Sequence, residues 1–227
     1  MLAEFTPSLP RLAEYIYLGG KRVATVGPAP STISLPAQSL TAVAGRAVTF
    51  TATLGGAVPT GTVSFYDGPT LLGTGSIASG KASITNTFQT VGAHTFIANY
   101  GGDAANFGSS TSATVMVLSS TTITGPAGGP NLNAVAGKPT TLAATVNGNS
   151  PTGTMSFYDG SMLLGTATLV SGTGSINTSI PTVGTHTITI VYSGDANNAA
   201  TTATIMLIVS LPPEQLIPIL QLLLDDQ

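Results

Sequence analysis

The stretch PTGTVSFYDG at residues 59–68 returns as PTGTMSFYDG at residues 151–160, with nine of the ten residues identical. The distance between the two copies is 92 residues. Two longer stretches repeat at the same distance: AVAGRAVTFTATL (42–54) with AVAGKPTTLAATV (134–146), and TVGAHTFIANYGGDA (90–104) with TVGTHTITIVYSGDA (182–196). A fixed spacing of this kind marks an internal repeat.

The repeat divides the 227 residues into four parts. We predict two copies of one folded unit, at residues 31–118 and 119–210. An N-terminal extension (1–30) precedes them and a C-terminal tail (211–227) follows.

Apolar and polar residues alternate with a period of two inside each copy. Val48, Phe50, Ala52 and Leu54 alternate with threonines, and the second copy keeps the pattern. This alternation is typical of antiparallel strands with one buried face. We expect seven strands per copy, which in the first copy lie near 31–35, 46–54, 61–66, 70–77, 81–88, 93–100 and 111–118. Seven short strands in about 90 residues predict an all-β protein with two tandem immunoglobulin-like sandwiches.

The composition excludes several classes of protein. Charged residues make up only 7% of the chain and the net charge is −3, which disfavours a nucleic-acid binder. The absence of cysteine excludes disulfide and cysteine–zinc scaffolds. No apolar run approaches the ~20 residues of a membrane span. Ser and Thr together number 57, which fits exposed strand faces.

The two ends predict small additional elements. Residues 15–26 (YIYLGGKRVATV) predict a β-hairpin that turns at Gly19-Gly20. The tail SLPPEQLIPILQLLLDDQ predicts a short helix. The N-terminus lacks the pattern of a secretory signal, so we expect either a cytosolic protein or, as we favour, a piece of a longer secreted chain.

The segment PTGTVSFYDG…LLGTG…VGAHTFIANYGGDAANF resembles the bacterial Ig-like repeat of group 3, and both copies carry all three parts. The resemblance implies tandem spacers, stalks or adhesive modules of secreted and cell-surface proteins, without catalytic residues. The two copies lack the cysteine pair and core tryptophan of antibody domains. Residues 14–26 (EYIYLGGKRVATV) are also similar to the closing strands of YD-repeat (Rhs-type) shells, which implies a large secreted parent protein.

Four aspartates occupy equivalent turns in the two copies: Asp67 with Asp159, and Asp103 with Asp195. We expect each carboxylate to cap its own turn, as Asx residues commonly do. The alternative is calcium, which binds oxygen ligands. If the domains stacked head to tail, Asp67 would face Asp195, and this pair is the one candidate metal site. No cofactor is predicted.

The two histidines and two tyrosines are also equivalent between the copies. His94 and His186 each open the sixth strand in phase with its core face, which predicts a hydrogen-bonded histidine rather than a metal ligand or catalyst. Tyr66 and Tyr158 follow a buried phenylalanine and point outward. They either pack on a neighbouring loop or form a platform for a glycan or protein partner.

No catalytic motif is present. The sequence has no G-x-S-x-G elbow, no P-loop, no cluster that predicts paired catalytic carboxylates, and too few lysines for a Lys–Asn crosslink. We therefore predict a non-enzymatic extracellular spacer or adhesive module. Its partners would be neighbouring domains, copies of itself, or a glycan or host or cell-surface protein. One alternative is a filament subunit in which an N-terminal strand adds to a neighbour's open sheet edge. A second alternative is a carbohydrate- or protein-binding module.

Overall fold

A computed structural model describes residues 14–18, 21–25, 27–36, 40–125 and 131–215. The chain divides into two compact units, Met1–Val117 and Leu118–Gln227, and each is described by itself. Within the described ranges, every strand belongs to the N-terminal hairpin or to one of two similar β-sandwiches.

The first unit begins with the predicted hairpin. Strand β1 (Glu14–Leu18) pairs antiparallel with β2 (Lys21–Thr25) as a separate two-stranded sheet. Leu18 lies opposite Lys21, so only residues 19 and 20 connect the strands. The two glycines predicted to form the turn lie outside the described residues.

Two sheets form the sandwich of the first unit, which we call domain one. The larger sheet has the order β4-β10-β9-β6-β7, and the smaller sheet has the order β3-β5-β8. The strands are β3 (Thr32–Ser34), β4 (Leu40–Val43), β5 (Ala47–Gly55), β6 (Thr62–Asp67), β7 (Thr70–Ser76), β8 (Lys81–Thr87), β9 (Gly92–Tyr100) and β10 (Ser109–Leu118).

Domain two, formed by the second unit, repeats this topology with the sheets β12-β18-β17-β14-β15 and β11-β13-β16. Its strands are β11 (Thr122–Thr124), β12 (Asn131–Val135), β13 (Thr140–Asn147), β14 (Thr154–Asp159), β15 (Met162–Thr168), β16 (Thr173–Thr178), β17 (Gly184–Tyr192) and β18 (Thr201–Ser210).

The alternation read from the sequence defines the two cores. On β5, Phe50, Ala52 and Leu54 are buried while the threonines between them face outward. The equivalent strand of domain two buries Leu142 and Ala144 in the same way. Each domain has its own core of buried aliphatic and aromatic side chains, and the predicted tandem of immunoglobulin-like sandwiches is confirmed.

The structure adds one strand to each domain beyond the seven expected. In domain one this is β4, which lies between the first two predicted strands. Strand β3 pairs with β5 in the smaller sheet, whereas β4 lies beside β10 in the larger sheet. The N-terminal part of domain one therefore contributes β3 to the smaller sheet and β4 to the larger sheet. In the larger sheet, β4 lies next to β10, the last strand of the domain.

The added strand of domain two runs parallel to the last strand. Strand β12 pairs with β18 from Asn131 opposite Met206 to Val135 opposite Ser210. Just past β12, the Ala136 N–H donates to the Ser210 carbonyl at 2.9 Å, which extends the pairing by one bond. The entering and leaving segments of this domain are thus hydrogen-bonded to each other.

The predicted C-terminal helix is described only at its start. Residues 213–215 are helical, and the rest of the tail (216–227) lies outside the described residues. Within the part that the structure covers, no helix is long and apolar enough to cross a membrane.

Candidate functional site

Each domain has a polar cluster in the loop between its last two strands, at the end where the chain enters the domain. The cluster is built on an aspartate and the asparagine three residues later: Asp103 with Asn106 in domain one, and Asp195 with Asn198 in domain two. We call each pair an Asp–Asn clasp. Both asparagines are only 1% exposed, which is unusual for a polar side chain.

The asparagine of each clasp binds the main chain of a neighbouring loop. In domain two, Asn198 Oδ1 accepts the Asn149 N–H at 2.7 Å, and Asn198 Nδ2 donates to the Asn149 carbonyl at 3.0 Å. In domain one, Asn106 makes the same two bonds to Ala57, at 2.7 and 3.1 Å. This bidentate contact satisfies both main-chain groups of one loop residue and the buried amide as well.

A glycine is required where each loop packs against the clasp asparagine, because the main chain of the loop lies very close to the asparagine side chain. A Cβ placed on Gly56 would lie 2.4 Å from Asn106 Oδ1, and one on Gly148 would lie 2.5 Å from Asn198 Oδ1. Gly56 also has a φ of 149°. A side chain at either position would therefore push the loop off the clasp.

The aspartate of each clasp joins the same loop to its own turn. In domain two, Asp195 Oδ2 accepts both the N–H and the hydroxyl of Thr152, at 2.7 and 3.0 Å. Its Oδ1 accepts the Asn197 and Asn198 N–H groups, as an Asx turn does. Burial by itself raises the pKa of Asp195, but the hydrogen bonds from Thr152, Asn197, Asn198 and Tyr192 outweigh it and hold the pKa well below its usual range.

Asp103 is arranged in the same way in domain one. Its Oδ2 accepts the N–H and the hydroxyl of Thr60, both at 2.8 Å, and its Oδ1 accepts the Ala105 N–H. Here too burial raises the pKa of Asp103, but the hydrogen bonds from Asn106 and Thr60 outweigh it and hold the pKa well below its usual range.

A buried tyrosine distinguishes the two clasps. The Tyr192 hydroxyl donates to Asp195 Oδ2 at 2.9 Å, and burial together with this carboxylate raises its pKa to about 12. In domain one, burial also raises the pKa of Tyr100, and the nearby Asp103 carboxylate adds to the rise. Among the described residues, however, no group meets the Tyr100 hydroxyl with hydrogen-bond geometry.

Each clasp loop also holds the segment through which the chain enters its domain. In domain one, the Ala29 N–H donates to the Ala105 carbonyl at 2.8 Å, and the Phe107 N–H donates to the Ala29 carbonyl at 2.8 Å. In domain two, Ser119 makes the same pair of bonds with Asn197 and Ala199. Both are parallel bridges, centred on the asparagine of the clasp.

The opposite end of each domain carries a His–Asp pair. His94 Nδ1 lies 2.6 Å from Asp67 Oδ2, and His186 Nδ1 lies 2.7 Å from Asp159 Oδ2. Both imidazoles are largely buried, and that of His94 packs against the Phe88 ring at 4.9 Å between centroids. In domain one the pair joins the end of β6 to the beginning of β9, and in domain two it joins the end of β14 to the beginning of β17.

The order of atoms around each histidine is that of a hydroxyl–imidazole–carboxylate triad. Thr90 Oγ1 lies 3.2 Å from His94 Nε2, and the other ring nitrogen faces Asp67. A general base needs a free Nε2 lone pair. The Thr90 carbonyl also lies 3.0 Å from Nε2, so this nitrogen already faces two oxygens of Thr90. The geometry suits a histidine that ties two chain segments together.

The two aspartates of the alternative calcium site each have hydrogen-bond partners within their own domain. Asp67 faces His94, and Asp195 accepts the clasp hydrogen bonds. In the described ranges, no three His, Cys, Asp or Glu side chains are grouped so that they could hold a metal ion.

The outward tyrosines lie beside exposed leucines. Tyr66 is half-buried and lies opposite Leu71 on the neighbouring edge strand β7, while Tyr158 lies opposite Leu163 on β15. Both leucines are about half exposed. For Tyr66 and Tyr158, packing on a neighbouring loop and a platform for a glycan or protein both stay predictions.

The sequence reasoning missed the clasp residues other than the aspartates. Asn106 and Asn198, like Thr60 and Thr152, lie at the repeat distance of 92 residues, so identity between the copies was the available signal. A loop asparagine or threonine does not by itself indicate a buried hydrogen-bond network, so identity between the copies alone does not predict the clasp.

Solved structures to which this chain is similar include modules of a bacterial protein and a fragment of titin. The fibronectin(III)-like modules of Clostridium thermocellum CbhA align with 79% of this chain and 94% of their own, at 20% identity and a TM-score of 0.47. An I-band fragment of titin aligns with 81% of this chain and 67% of its own, at 14% identity and a TM-score of 0.46.

A search of curated proteins finds no match. The sequence profile of the bacterial Ig-like domain (group 3) matches residues 35–118 and 129–210, which is more than half of the chain. The chain therefore belongs to the group 3 bacterial Ig-like domain family and contains two of these domains in tandem.

Proposed function

We propose that this chain is a load-bearing, non-enzymatic spacer of a bacterial surface or secreted protein. Ig-like tandems are consistent with a structural or adhesive module. The observation that supports a mechanical role most directly is the parallel pairing of β12 with β18 in domain two.

Parallel pairing of these strands determines how tension acts on the domain. Strand β12 lies on the entering side of the chain and β18 is the last strand. Tension between the two ends of the domain pulls these parallel strands in opposite directions along their length. The bonds from Asn131–Met206 to Ala136–Ser210 are then loaded together rather than one after another.

The Asp–Asn clasp of domain two stabilises the segment through which tension enters this domain. Tension on the entering chain first reaches Ser119, which is bridged to the loop of Asn198. Strand β10 ends at Leu118, so no residue separates the last strand of domain one from this bridge. The clasp ties the loop to Asn149 and Thr152, which spreads the load beyond the bridge.

An extracellular setting is part of the proposal. Bacterial Ig-like domains are commonly extracellular, and the low charge with abundant Ser and Thr suits an exposed spacer. The similarity of residues 14–26 to the ends of YD-repeat shells adds a large secreted parent protein to this proposal, with neighbouring domains as the main partners.

Pulling single molecules of the full chain by its ends tests the proposal. We expect two unfolding events, each releasing roughly 30 nm, since about 85 residues extend by ~3.5 Å each. A chain that extends under low force without separate events would count against a load-bearing role.

The substitution Ala136→Pro makes this test specific. The Lys138 N–H donates to the Val135 carbonyl, so Ala136 occupies the second position of a tight turn, where proline is favoured. Proline there removes the N–H that donates to Ser210 and keeps the turn. We expect a lower unfolding force for one of the two events. Ala136→Ser retains the N–H and serves as the matched control, with unchanged force.

A second candidate function is self-assembly by strand addition. The β1–β2 hairpin forms a sheet of its own. The edge strands β7 and β15 contain neither proline nor a charged residue, the features that usually discourage edge pairing. Light scattering over a concentration series tests this function. Mass growth that disappears when residues 1–30 are deleted would support it, and a monomer throughout would exclude it.

A further inference from the structure

The dipeptide Asn147-Gly148 lies next to the clasp of domain two. The sequence contains ten asparagines, and Asn147 is the one that glycine follows. Domain one has Gly55-Gly56 at the equivalent positions, so the feature belongs to the second domain alone.

We propose that Asn147 is a site of spontaneous covalent modification that weakens the clasp of domain two. The main-chain nitrogen of Gly148 attacks the Asn147 side-chain carbonyl carbon, a C–N bond forms, and ammonia leaves. Water then opens the five-membered imide at one of its two carbonyls. The products are aspartate, or isoaspartate in which the main chain continues through the former side chain. The only reactant consumed is water.

The local structure leaves this asparagine open to the reaction. Asn147 is the last residue of β13 and is exposed. The pairing of β13 with β11 ends at Asn147 opposite Thr122, so Gly148 lies outside the ladder. Among the described residues, the hydrogen-bond partner of the Asn147 amide is Thr124 Oγ1, at the long distance of 3.5 Å. Glycine has no side chain to shield the attacking nitrogen.

Other asparagines of the same domain are less suited to this reaction. Asn198 is buried in the clasp, where its amide makes several hydrogen bonds. The Asn177 Oδ1 accepts the Thr141 hydroxyl at 2.7 Å. Asn149 is exposed, but serine follows it. We therefore expect modification at Asn147 ahead of these sites.

Isoaspartate at this position would disturb the clasp directly. It lengthens the main chain by one carbon immediately before Gly148, whose Cα packs so tightly that a Cβ would come within 2.5 Å of Asn198 Oδ1. The next residue, Asn149, is held by Asn198 through both its N–H and its carbonyl. The loop cannot keep both contacts when its length changes.

Ageing the full chain in warm, mildly alkaline buffer made with oxygen-18 water tests the proposal. We expect the peptide containing residue 147 to lose ammonia, incorporate one heavy oxygen and contain isoaspartate, while the thermal unfolding transition of domain two falls. Asn147→Ser should abolish the mass change and preserve the transition. Asn149→Ser, which alters the neighbouring loop asparagine, should leave the modification in place.

Three results would overturn the inference. The first is an unmodified residue 147 after ageing that modifies other asparagines. The second is equal modification in wild type and Asn147→Ser, which would place the reaction elsewhere. The third is isoaspartate at residue 147 with an unchanged domain-two transition, which would show that the clasp tolerates the longer chain. Isomerisation at Asp67-Gly68 or Asp159-Gly160 would release no ammonia, so the loss of ammonia distinguishes a reaction at Asn147 from a reaction at these pairs.

Discussion

The same substitution, tyrosine to phenylalanine, should have different effects in the two domains. Tyr192 and Tyr100 occupy equivalent positions and are both almost fully buried. The Tyr192 hydroxyl donates to Asp195 at 2.9 Å, whereas the Tyr100 hydroxyl lacks such a bond among the described residues. Comparing Tyr192→Phe with Tyr100→Phe therefore isolates the contribution of the Tyr192 hydroxyl to the clasp of domain two.

The expected magnitudes follow from that bond. Tyr192→Phe removes a hydrogen bond to an ionised group, which typically contributes ~1.5–3 kcal/mol. A domain of about 90 residues loses ~4–8 °C in melting temperature for each kcal/mol. We expect a fall of roughly 10 °C for domain two, since Asp195 keeps its other donors. Tyr100→Phe removes a buried hydroxyl without a partner, so domain one should be unchanged or slightly more stable.

Differential scanning calorimetry of the full chain is the assay, because each variant changes the transition of one domain. The double variant should show the sum of the two effects, since the sites lie in separate domains. Equal losses for Tyr100→Phe and Tyr192→Phe would refute the reasoning, because they would show that both hydroxyls make equivalent bonds.

Three further predictions concern the clasps and one strained loop. Asn198→Ala should lower the free energy of unfolding of domain two by about 2–4 kcal/mol, because about three buried hydrogen bonds are lost, and urea denaturation measures the change. Asp103 and Asp195 have depressed pKa values in the folded state, so their contribution to stability is complete above the ordinary value of 3.8 and is lost as the pH falls below it. Unfolding followed against pH should show this decline, and Asp195→Asn should flatten it. Val58 has a φ of 50° and is 83% exposed, so Val58→Asn should stabilise domain one by ~1 kcal/mol, because a β-branched residue is strained in this region; calorimetry that shows no increase would contradict this.

The sandwich could be predicted because its pattern is local. Alternating residues such as Phe50, Ala52 and Leu54 indicate both the strand and its buried face, and the repeat supplies a second reading of the same pattern. Strand β4 was not predicted. Its place in the larger sheet depends on a neighbour, β10, that lies far away in the sequence.

The candidate site was only partly predictable for the same reason. Turn aspartates were expected to bind their own backbone, and Asp103 does so through Ala105. Its second partner, Thr60, is 43 residues away, and His94 meets Asp67 across 27 residues. Such contacts depend on strand register, which the sequence does not contain explicitly. The repeat distance identifies which residues are equivalent but not which ones touch.

Unfolding force measured along two directions tests the load-bearing account most directly. The chain contains no cysteine, so pairs of cysteines can be introduced as attachment points. Attachment at Ser120→Cys and Ser210→Cys loads β12 and β18 in shear, whereas attachment at Lys138→Cys and Ser210→Cys pulls the same two strands apart from one end. We predict a clearly higher unfolding force for the first pair. Equal forces for the two pairs would contradict the claim that the parallel strands carry the load.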